Sequence, residues 1–283
     1  MTGGSIGRIV VGVLSHRDPP LVQRLVDRIL EGERTIALVH HDPRSGSPGL
    51  TPSDRVRLVR DPQPCDWGRI NLAEAMFRVM DDAVRQVPEL EWLLLVSGQD
   101  YPAQSLRLTE DALAATEADA MLRYFPVPDD PADDVIPWQA RCRQRYLHRL
   151  RIPGNRRSVP FPRRPPFRDG MRLYIGDMWA NLSRPAVDHL LAQYRTQTRV
   201  RRYLSWCSVP DEALLPTLLL NGADHLQVVA ERKRFIRWVE GHPHPETLTE
   251  RDVGAIAASG DFFARKVTME QSATLLDRLD ERS

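Results

Sequence analysis

Residues 9–14 have the sequence Ile9-Val10-Val11-Gly12-Val13-Leu14, an unbroken apolar run rich in β-branched side chains. This composition is typical of a strand that is covered on both faces of a parallel sheet. A second apolar run, Trp92-Leu93-Leu94-Leu95-Val96, follows later in the chain. The two runs predict buried strands of an α/β protein.

The segment between these two runs alternates helical and strand patterns. Asp18-Pro19-Pro20 is a helix start, and apolar residues recur at helical spacing from Leu21 to Leu30. Strands are predicted at 35–39 and 56–59, and a helix at 72–87. Together with the two apolar runs they form a βαβαβ nucleotide-binding layout, in which ligands bind beyond the carboxyl ends of the strands.

The segments that follow these strands are therefore the first candidates for a binding site: Ser15-His16, His40-His41-Asp42 and Ser97-Gly98-Gln99-Asp100. They contain neither Gly-x-Gly-x-x-Gly nor a P-loop, which argues against dinucleotide oxidoreductases and P-loop NTPases. A sugar-nucleotide transferase of the GT-A type remains compatible, but such enzymes usually hold a divalent metal with Asp-x-Asp. Asp100 alone is a poor Mg²⁺ or Mn²⁺ site, so another group must neutralise the diphosphate.

Lysine is rare in this chain. Of its 39 basic residues only Lys233 and Lys266 are lysines, and Lys266 ends the segment Phe262-Phe263-Ala264-Arg265-Lys266. The compact charge of lysine beside the planar arginine suits an anionic group such as a diphosphate. Two solvated cations at the end of a helix or strand are the alternative.

Composition limits the remaining classes of protein. The chain has 283 residues, is 42% hydrophobic and has a formal net charge of +1, which describes a globular protein and implies no particular partner. Its polar N-terminus and short first apolar run predict a cytoplasmic protein without a membrane span. The spacing of Cys65, Cys142 and Cys207 supports neither disulfides nor a zinc site, so free thiols are expected.

Short motifs spread from Ile9 to Lys266 resemble those of glycosyltransferase family 14, in the family's order. This family contains the core-2/I-branching β-1,6-N-acetylglucosaminyltransferases and the peptide-O-xylosyltransferases. The motifs are Ser15-His16-Arg17-Asp18-Pro19, Val39-His40-His41-Asp42-Pro43-Arg44, Trp67-Gly68, Leu95-Val96-Ser97-Gly98-Gln99-Asp100-Tyr101-Pro102, Pro210-Asp211-Glu212, Arg234-Phe235-Ile236-Arg237-Trp238, His244-Pro245 and Phe263-Ala264-Arg265-Lys266.

The resemblance implies a GT-A-like, Rossmann-type mixed sheet with flanking helices. A C-terminal helical portion is expected to supply Glu212, Arg234, Arg265 and Lys266 to the site. The resemblance also implies an inverting transfer from a UDP-sugar without a metal or other cofactor. Glu212 is the expected general base. The remaining expected contacts are Lys266, Arg265 and Arg234 with the diphosphate, Asp42 with the uridine, His16 and Asp100 with the donor, and Trp179 and Asp177 with the acceptor.

The resemblance also implies how the chain is divided. Residues 1–283 are expected to form a single catalytic domain, with a nucleotide-binding half over 1–125. A Pro/Arg-rich insertion over 126–172 is expected on the acceptor side, and residues 173–283 are expected to bind the acceptor and the diphosphate.

Two departures from the family matter. The xylosyltransferases have an acid in Gly-Ser-Asp-Trp, where this chain has Met178 within Gly176-Asp177-Met178-Trp179, and whether Asp177 replaces that acid is open. The N-terminal anchor and luminal disulfides of the Golgi members are not expected in this protein. We therefore expect a bacterial enzyme that acts on an intracellular glycan precursor, a small molecule or a peptide.

Several of these residues have simpler explanations. Glu212 is also explained by the preference for acidic residues in the first turn of a helix. Asp100 is also explained as a residue that caps a turn. Trp179 is equally compatible with the core and with an acceptor platform. The histidines His40, His41, His242 and His244 lack a fourth ligand at a sensible spacing and are expected to be loop residues rather than metal ligands.

An arginine-dense, proline-punctuated stretch lies between Arg141 and Arg172. It contains Arg143, Arg145, Arg149, Arg151, Arg156, Arg157, Arg163, Arg164 and Arg168, with Tyr146, Phe161 and Phe167 interleaved. It is a solvated loop, an acceptor-side lid or a nucleic-acid patch. The acidic positions Asp129, Asp130, Asp133 and Asp134 just upstream disfavour nucleic acid.

The function expected from the sequence is transfer of N-acetylglucosamine from its UDP donor to a hydroxyl. Xylosyl or glucuronosyl transfer by the same family is the first alternative. A non-catalytic protein that binds sugar nucleotides, or one that binds nucleic acid, is the second.

Overall fold

The computed structural model describes residues 7–128, 137–152, 157–167, 170–239 and 244–282. Some positions considered above lie outside the described residues, namely Asp129, Asp130, Asp133, Asp134, Arg156, Arg168 and His242.

The described strands are β1 (Arg8–Ser15), β2 (Thr35–His41), β3 (Val56–Leu58), β4 (Leu90–Ser97), β5 (Asp100–Pro102), β6 (Ala120–Met121), β7 (Tyr124–Pro126), β8 (Arg149–Arg151), β9 (Ser158–Pro160), β10 (Tyr174–Gly176), β11 (Asn181–Ser183), β12 (Val228–Val229), β13 (Arg234–Ile236) and β14 (Phe263–Arg265). The described α-helices are α1 (Pro19–Ile29), α2 (Ile70–Gln86), α3 (Leu106–Ala115), α4 (Pro137–Leu147), α5 (Arg184–Thr196), α6 (Thr198–Leu204), α7 (Asp211–Leu220), α8 (Val253–Ser259) and α9 (Met269–Asp280).

A mixed sheet of 7 strands forms the centre, in the order β12-β6-β11-β4-β1-β2-β3. β1 pairs in parallel with both β2 and β4, and β2 pairs in parallel with β3. β11 pairs antiparallel with β4 and β6, which makes the sheet mixed. The predicted α/β fold with a Rossmann-type mixed sheet and a C-terminal helix is confirmed.

The core explains why the central strands have no polar face. Alternate residues of β4 enter opposite apolar clusters: Leu93 and Leu95 pack on the side of α2, α5 and α7, and Leu94 and Val96 pack on the side of α1 and α9. Since side chains alternate across a strand, both faces must be apolar when both are covered. Truncating a fully buried residue such as Leu94 to Ala costs about 2–5 kcal/mol of unfolding free energy.

The predicted helix start at Asp18 is confirmed. The Asp18 side chain accepts a hydrogen bond from the backbone N–H of Leu21, and the prolines Pro19 and Pro20 occupy the first helical positions. Its second carboxylate oxygen accepts from the backbone N–H of Met269, the first residue of α9. One carboxylate therefore caps α1 and connects it to the C-terminal helix.

Three sequence expectations need correction. β2 continues through His41, so His40 and His41 lie in the strand rather than after it. The described part of the insertion is not only loop, since it contains α4 and the antiparallel pair β8–β9. Arg234 and Arg265 were assigned to a helical portion, but they lie in β13 and β14 of a second sheet with the order β13-β14-β5.

No helix among the described residues is both long enough and apolar enough to cross a membrane.

Candidate active site

A cavity of about 660 Å³ lies at the carboxyl ends of β1 and β4. Its wall also includes residues that follow β10 and β14 and residues of α7. Most of the predicted site residues meet there, namely His16, Asp177, Trp179, Glu212, Arg265 and Lys266. The remaining three, Asp42, Asp100 and Arg234, lie behind the wall and are almost fully buried. The cavity therefore brings together six of the nine predicted site residues, and their roles stay predictions.

Basic groups form one side of this cavity. His16 and Arg17 follow β1, Arg265 is the last residue of β14, and Lys266 follows it. The two segments meet at the loop after β4: the backbone N–H of Gly98 donates to the Leu14 carbonyl at 2.8 Å, and that of Val267 donates to the Gln99 carbonyl at 2.9 Å. Burial first, and then the nearby Arg17 and Arg265, lower the pKa of Lys266.

Asp100 lies directly behind these basic groups. Its carboxylate accepts hydrogen bonds from the Ser97 backbone N–H at 2.7 Å and from Arg265 Nη1 at 3.0 Å. The Nε of the buried Arg234 lies 3.6 Å from the same carboxylate. Asp100 thus caps the turn, as the simpler explanation expected, and holds two arginines in place. With 0% of its surface exposed, it has none left for a donor.

Trp179 covers this buried group from the cavity side. The guanidinium carbons of Arg265 and Arg234 lie 5.0 and 5.7 Å from its ring centre. Attraction of cations to the face of the indole therefore fixes the ring against the wall. Trp179 is half-buried, so it contributes both to packing and to the cavity surface.

Three carboxylates also line the cavity. Glu212 and Asp211 lie in the first turn of α7, and Asp177 follows β10. Burial raises the pKa of Glu212, and the negative charge of Asp177 raises it further. Arg145 of α4 opposes this shift, with its Nη1 3.4 Å from Glu212 Oε2. Burial and the neighbouring Glu212 raise the pKa of Asp211 to about 7.

The backbone at Gly176 brings Asp177 to the cavity. A Cβ atom on Gly176 would collide with the carbonyl oxygen of Arg123, so only glycine permits this close approach of two chain segments. The same carbonyl accepts a hydrogen bond from the Asp177 backbone N–H at 3.0 Å. The Asp177 carboxylate lies 3.4 Å from the Nε of Arg232.

Asp42 supports the cavity wall from behind. Its carboxylate accepts hydrogen bonds from Arg44 and, at 2.9 Å, from the backbone N–H of Cys65. The hydrogen bonds from Arg44 hold the pKa of Asp42 well below its usual range. Asp42 thereby positions residues 65–67, of which Trp67 is 61% exposed at the cavity and makes an edge contact with His244 at 5.7 Å.

The two histidines at the end of β2 make separate hydrogen bonds. His40 Nε2 accepts a hydrogen bond from the Gln63 backbone N–H, and His41 Nδ1 lies 2.8 Å from Ser15 Oγ. Burial lowers the pKa of His40, which matches its role as an acceptor. Among the described residues no three His, Cys, Asp or Glu side chains form a group that could hold a metal ion.

A family comparison agrees with the order of these motifs. A model of the Core-2/I-branching enzyme family matches residues 25–258. The chain belongs to this family. The match confirms the resemblance seen in the sequence and places the chain in a family of glycosyltransferases.

Two plant members of this Core-2/I-branching enzyme family resemble the chain over most of its length. Beta-glucuronosyltransferase GlcAT14A of Arabidopsis thaliana is 26% identical over 213 residues, which cover 70% of this chain and 44% of that protein. Beta-glucuronosyltransferase GlcAT14B of the same plant is 25% identical over 217 residues, covering 70% and 45%. The chain spans less than half the length of these relatives.

Sequence reasoning assigned no role to three residues of the cavity, or to Arg145, which contacts the cavity residue Glu212. Arg17 and Trp67 belong to motifs that it quoted, and their position beside His16 and Gly68 was an available signal. Asp211 precedes the expected base directly. Nothing in the sequence distinguishes Arg145 from the many other arginines of the insertion, because only the fold brings it to Glu212.

Proposed function

We propose that this protein is an inverting glycosyltransferase that moves a sugar from a UDP-sugar to an acceptor hydroxyl without a metal ion. The observation that carries the proposal is one cavity that is lined by both Lys266 and Glu212. Direct displacement at an anomeric carbon needs a base for the acceptor and a counter-charge for the leaving group.

Glu212 is the proposed base. It takes the proton of the acceptor hydroxyl while the hydroxyl oxygen forms a bond to the anomeric carbon. The bond from that carbon to the phosphate oxygen breaks on the opposite face, and UDP leaves with the electron pair. A pKa raised by burial makes the Glu212 carboxylate a stronger base than an exposed glutamate.

Lys266 supplies the proposed counter-charge. No carboxylate of the described residues lies within ion-pair distance of its Nζ, whereas the other lysine, Lys233, lies 2.8 Å from Glu231. An unpaired ammonium group in a partly buried wall is available to the negative charge that develops on UDP.

The sugar is the finer part of the proposal. N-acetylglucosamine follows from the resemblance to the branching enzymes, and the names of the two plant relatives favour glucuronate as a second candidate. The proposed acceptor is a hydroxyl of a glycan, a small molecule or a peptide, and Trp179 and Asp177 are its proposed contacts.

The test uses protein treated with EDTA and a panel of UDP-sugars. We expect UDP release with at least one donor in EDTA, and a product with the anomeric configuration inverted. Glu212→Gln is expected to lower turnover about 10²- to 10⁴-fold with UDP affinity kept. Glu270→Gln, in the first turn of α9, is the matched control and should turn over normally.

Each part of the proposal can fail separately. Turnover that requires Mn²⁺ would refute metal independence, and retention of configuration would refute direct displacement. Normal turnover in Glu212→Gln would move the base elsewhere. Binding of UDP-sugars without release of UDP under any condition would point to the non-catalytic alternative.

A further inference from the structure

The loop after β1 places Arg17 at the basic side of the cavity. Its Nη2 donates a hydrogen bond to Gln99 Oε1 at 2.6 Å, and both residues line the cavity. Arg17 itself is exposed, and no carboxylate of the described residues lies within ion-pair distance of it. Its guanidinium is therefore oriented by a neutral group, with its charge left free.

Gln99 is well fixed for this purpose. Its side chain is buried, its backbone N–H contacts Ser97 Oγ at 3.1 Å, and its carbonyl accepts from the Val267 backbone N–H at 2.9 Å. The loop after β4 and the segment with Lys266 are thus one connected unit, and Arg17 is bound to that unit. The position of Arg17 relative to Lys266 is set by Gln99.

Gln99 and Asp100 are adjacent, but they have different effects on the arginines that they contact. Asp100 neutralises Arg265 by an ion pair at 3.0 Å, whereas the Gln99 amide only orients Arg17. Arg17 is close enough to Lys266 to act on its pKa in the lowering direction, so the two cations repel each other. Two unneutralised cations that line one cavity and are connected through Gln99 form a site for an anion with two charged groups.

We propose that Arg17, oriented by Gln99, is the second cation that binds the donor's diphosphate beside Lys266. The sequence assigned this role to Arg234, which is buried behind Trp179 and donates to the Leu95 carbonyl instead. Gln99 is a positioning residue in this site. The proposal rests on the function proposed above, since it specifies which groups hold the UDP of that reaction.

The test compares UDP with uridine by titration calorimetry in EDTA. Replacing Arg17 by Met keeps the aliphatic length and removes the charge. We expect Arg17→Met to weaken the affinity for UDP about 10- to 100-fold, which is the effect of losing one charge-assisted contact. The affinity for uridine should not change. Arg107→Met removes an exposed arginine whose nearest carboxylate, Glu33, lies 3.8 Å away, and it is the matched control.

Gln99→Glu provides a second variant with nearly the same shape. The new carboxylate keeps the hydrogen bond to Arg17 but neutralises it, so we expect a loss of UDP affinity similar to that of Arg17→Met. Circular dichroism confirms that both variants are folded. If Gln99→Glu binds UDP as tightly as the unaltered protein, the free charge of Arg17 has no role and the proposal is wrong.

The outcomes separate this proposal from the proposed function. If the unaltered protein fails to bind UDP, the proposed function fails. If it binds UDP and Arg17→Met binds equally well, only the role of Arg17 fails. If Arg17→Met weakens UDP-glucuronate and leaves UDP unaffected, Arg17 contacts the sugar carboxylate and the diphosphate assignment is overturned.

Discussion

Two groups of cations meet at one cavity wall. The buried group is Arg234 with Asp100, to which Arg265 also pairs from the cavity surface, and the open group is Arg17 and Lys266 with the neutral Gln99. Both groups come from the same loop and strand ends. The difference shows that the contacting group determines the role of an arginine. An arginine that pairs with a carboxylate is part of the scaffold, whereas one that contacts only an amide keeps its charge available for a ligand.

The largest expected effect is on the stability of the buried group. Asp100→Asn leaves Arg234, whose side chain is 1% exposed, without its counter-charge. Removing one partner of a buried ion pair costs about 3–5 kcal/mol, and we expect that loss in the free energy of unfolding by urea. A loss below 1 kcal/mol would break the comparison, because Asp100 would then not hold the buried group together.

The open group should show the opposite behaviour. Lys266→Met is expected to lower kcat about 10²- to 10³-fold, as loss of a preorganised charge at the leaving group does. The free energy of unfolding should change by less than about 0.5 kcal/mol, since Lys266 has no ion pair among the described residues to lose. Lys233→Met is the matched control and should retain turnover. A Lys266 variant that unfolds instead would show that Lys266 belongs to the scaffold.

Trp179 touches the buried group and faces the open one. Trp179→Leu removes the ring from both guanidinium groups, and each cation–ring contact contributes about 0.5–1 kcal/mol. We therefore expect a thermal unfolding midpoint lowered by a few degrees, the shift that about 1–2 kcal/mol produces. An unchanged midpoint together with a raised KM for the acceptor would assign Trp179 to the acceptor alone.

Arg145 and Glu212 form an intermediate case, a half-exposed pair at the cavity. Arg145 holds the pKa of Glu212 down against burial, so its removal raises that pKa further. The base works only when ionised, and the acid limb of the kcat/KM profile should therefore move to higher pH in Arg145→Gln. Arg141→Gln in the same helix is the control. A limb that stays in place would mean that the pair is broken in solution.

The sequence predicted the strands of the central sheet better than it predicted which charged side chains are exposed in the cavity. Residues 9–14 and 92–96 are apolar on both faces, and that pattern alone identifies central strands. Lys266 was found because it is rare. Arg234 was assigned to the diphosphate and Arg17 was not, because burial depends on contacts between distant segments: Arg234 is buried in β13, whereas Arg17 is exposed. The cytoplasmic location, the bacterial source and the division into halves stay predictions.

The pairing of β14 with β5 has a consequence for synthesis of the chain. Asp100 and Arg265 are separated by 165 positions, so the basic side of the cavity joins early and late parts of the polypeptide. A chain emerging from the ribosome can build much of the central sheet before Lys266 exists. If the protein has the proposed function, donor binding is among the last properties that the growing chain acquires, and UDP would stabilise only molecules whose translation has passed β14.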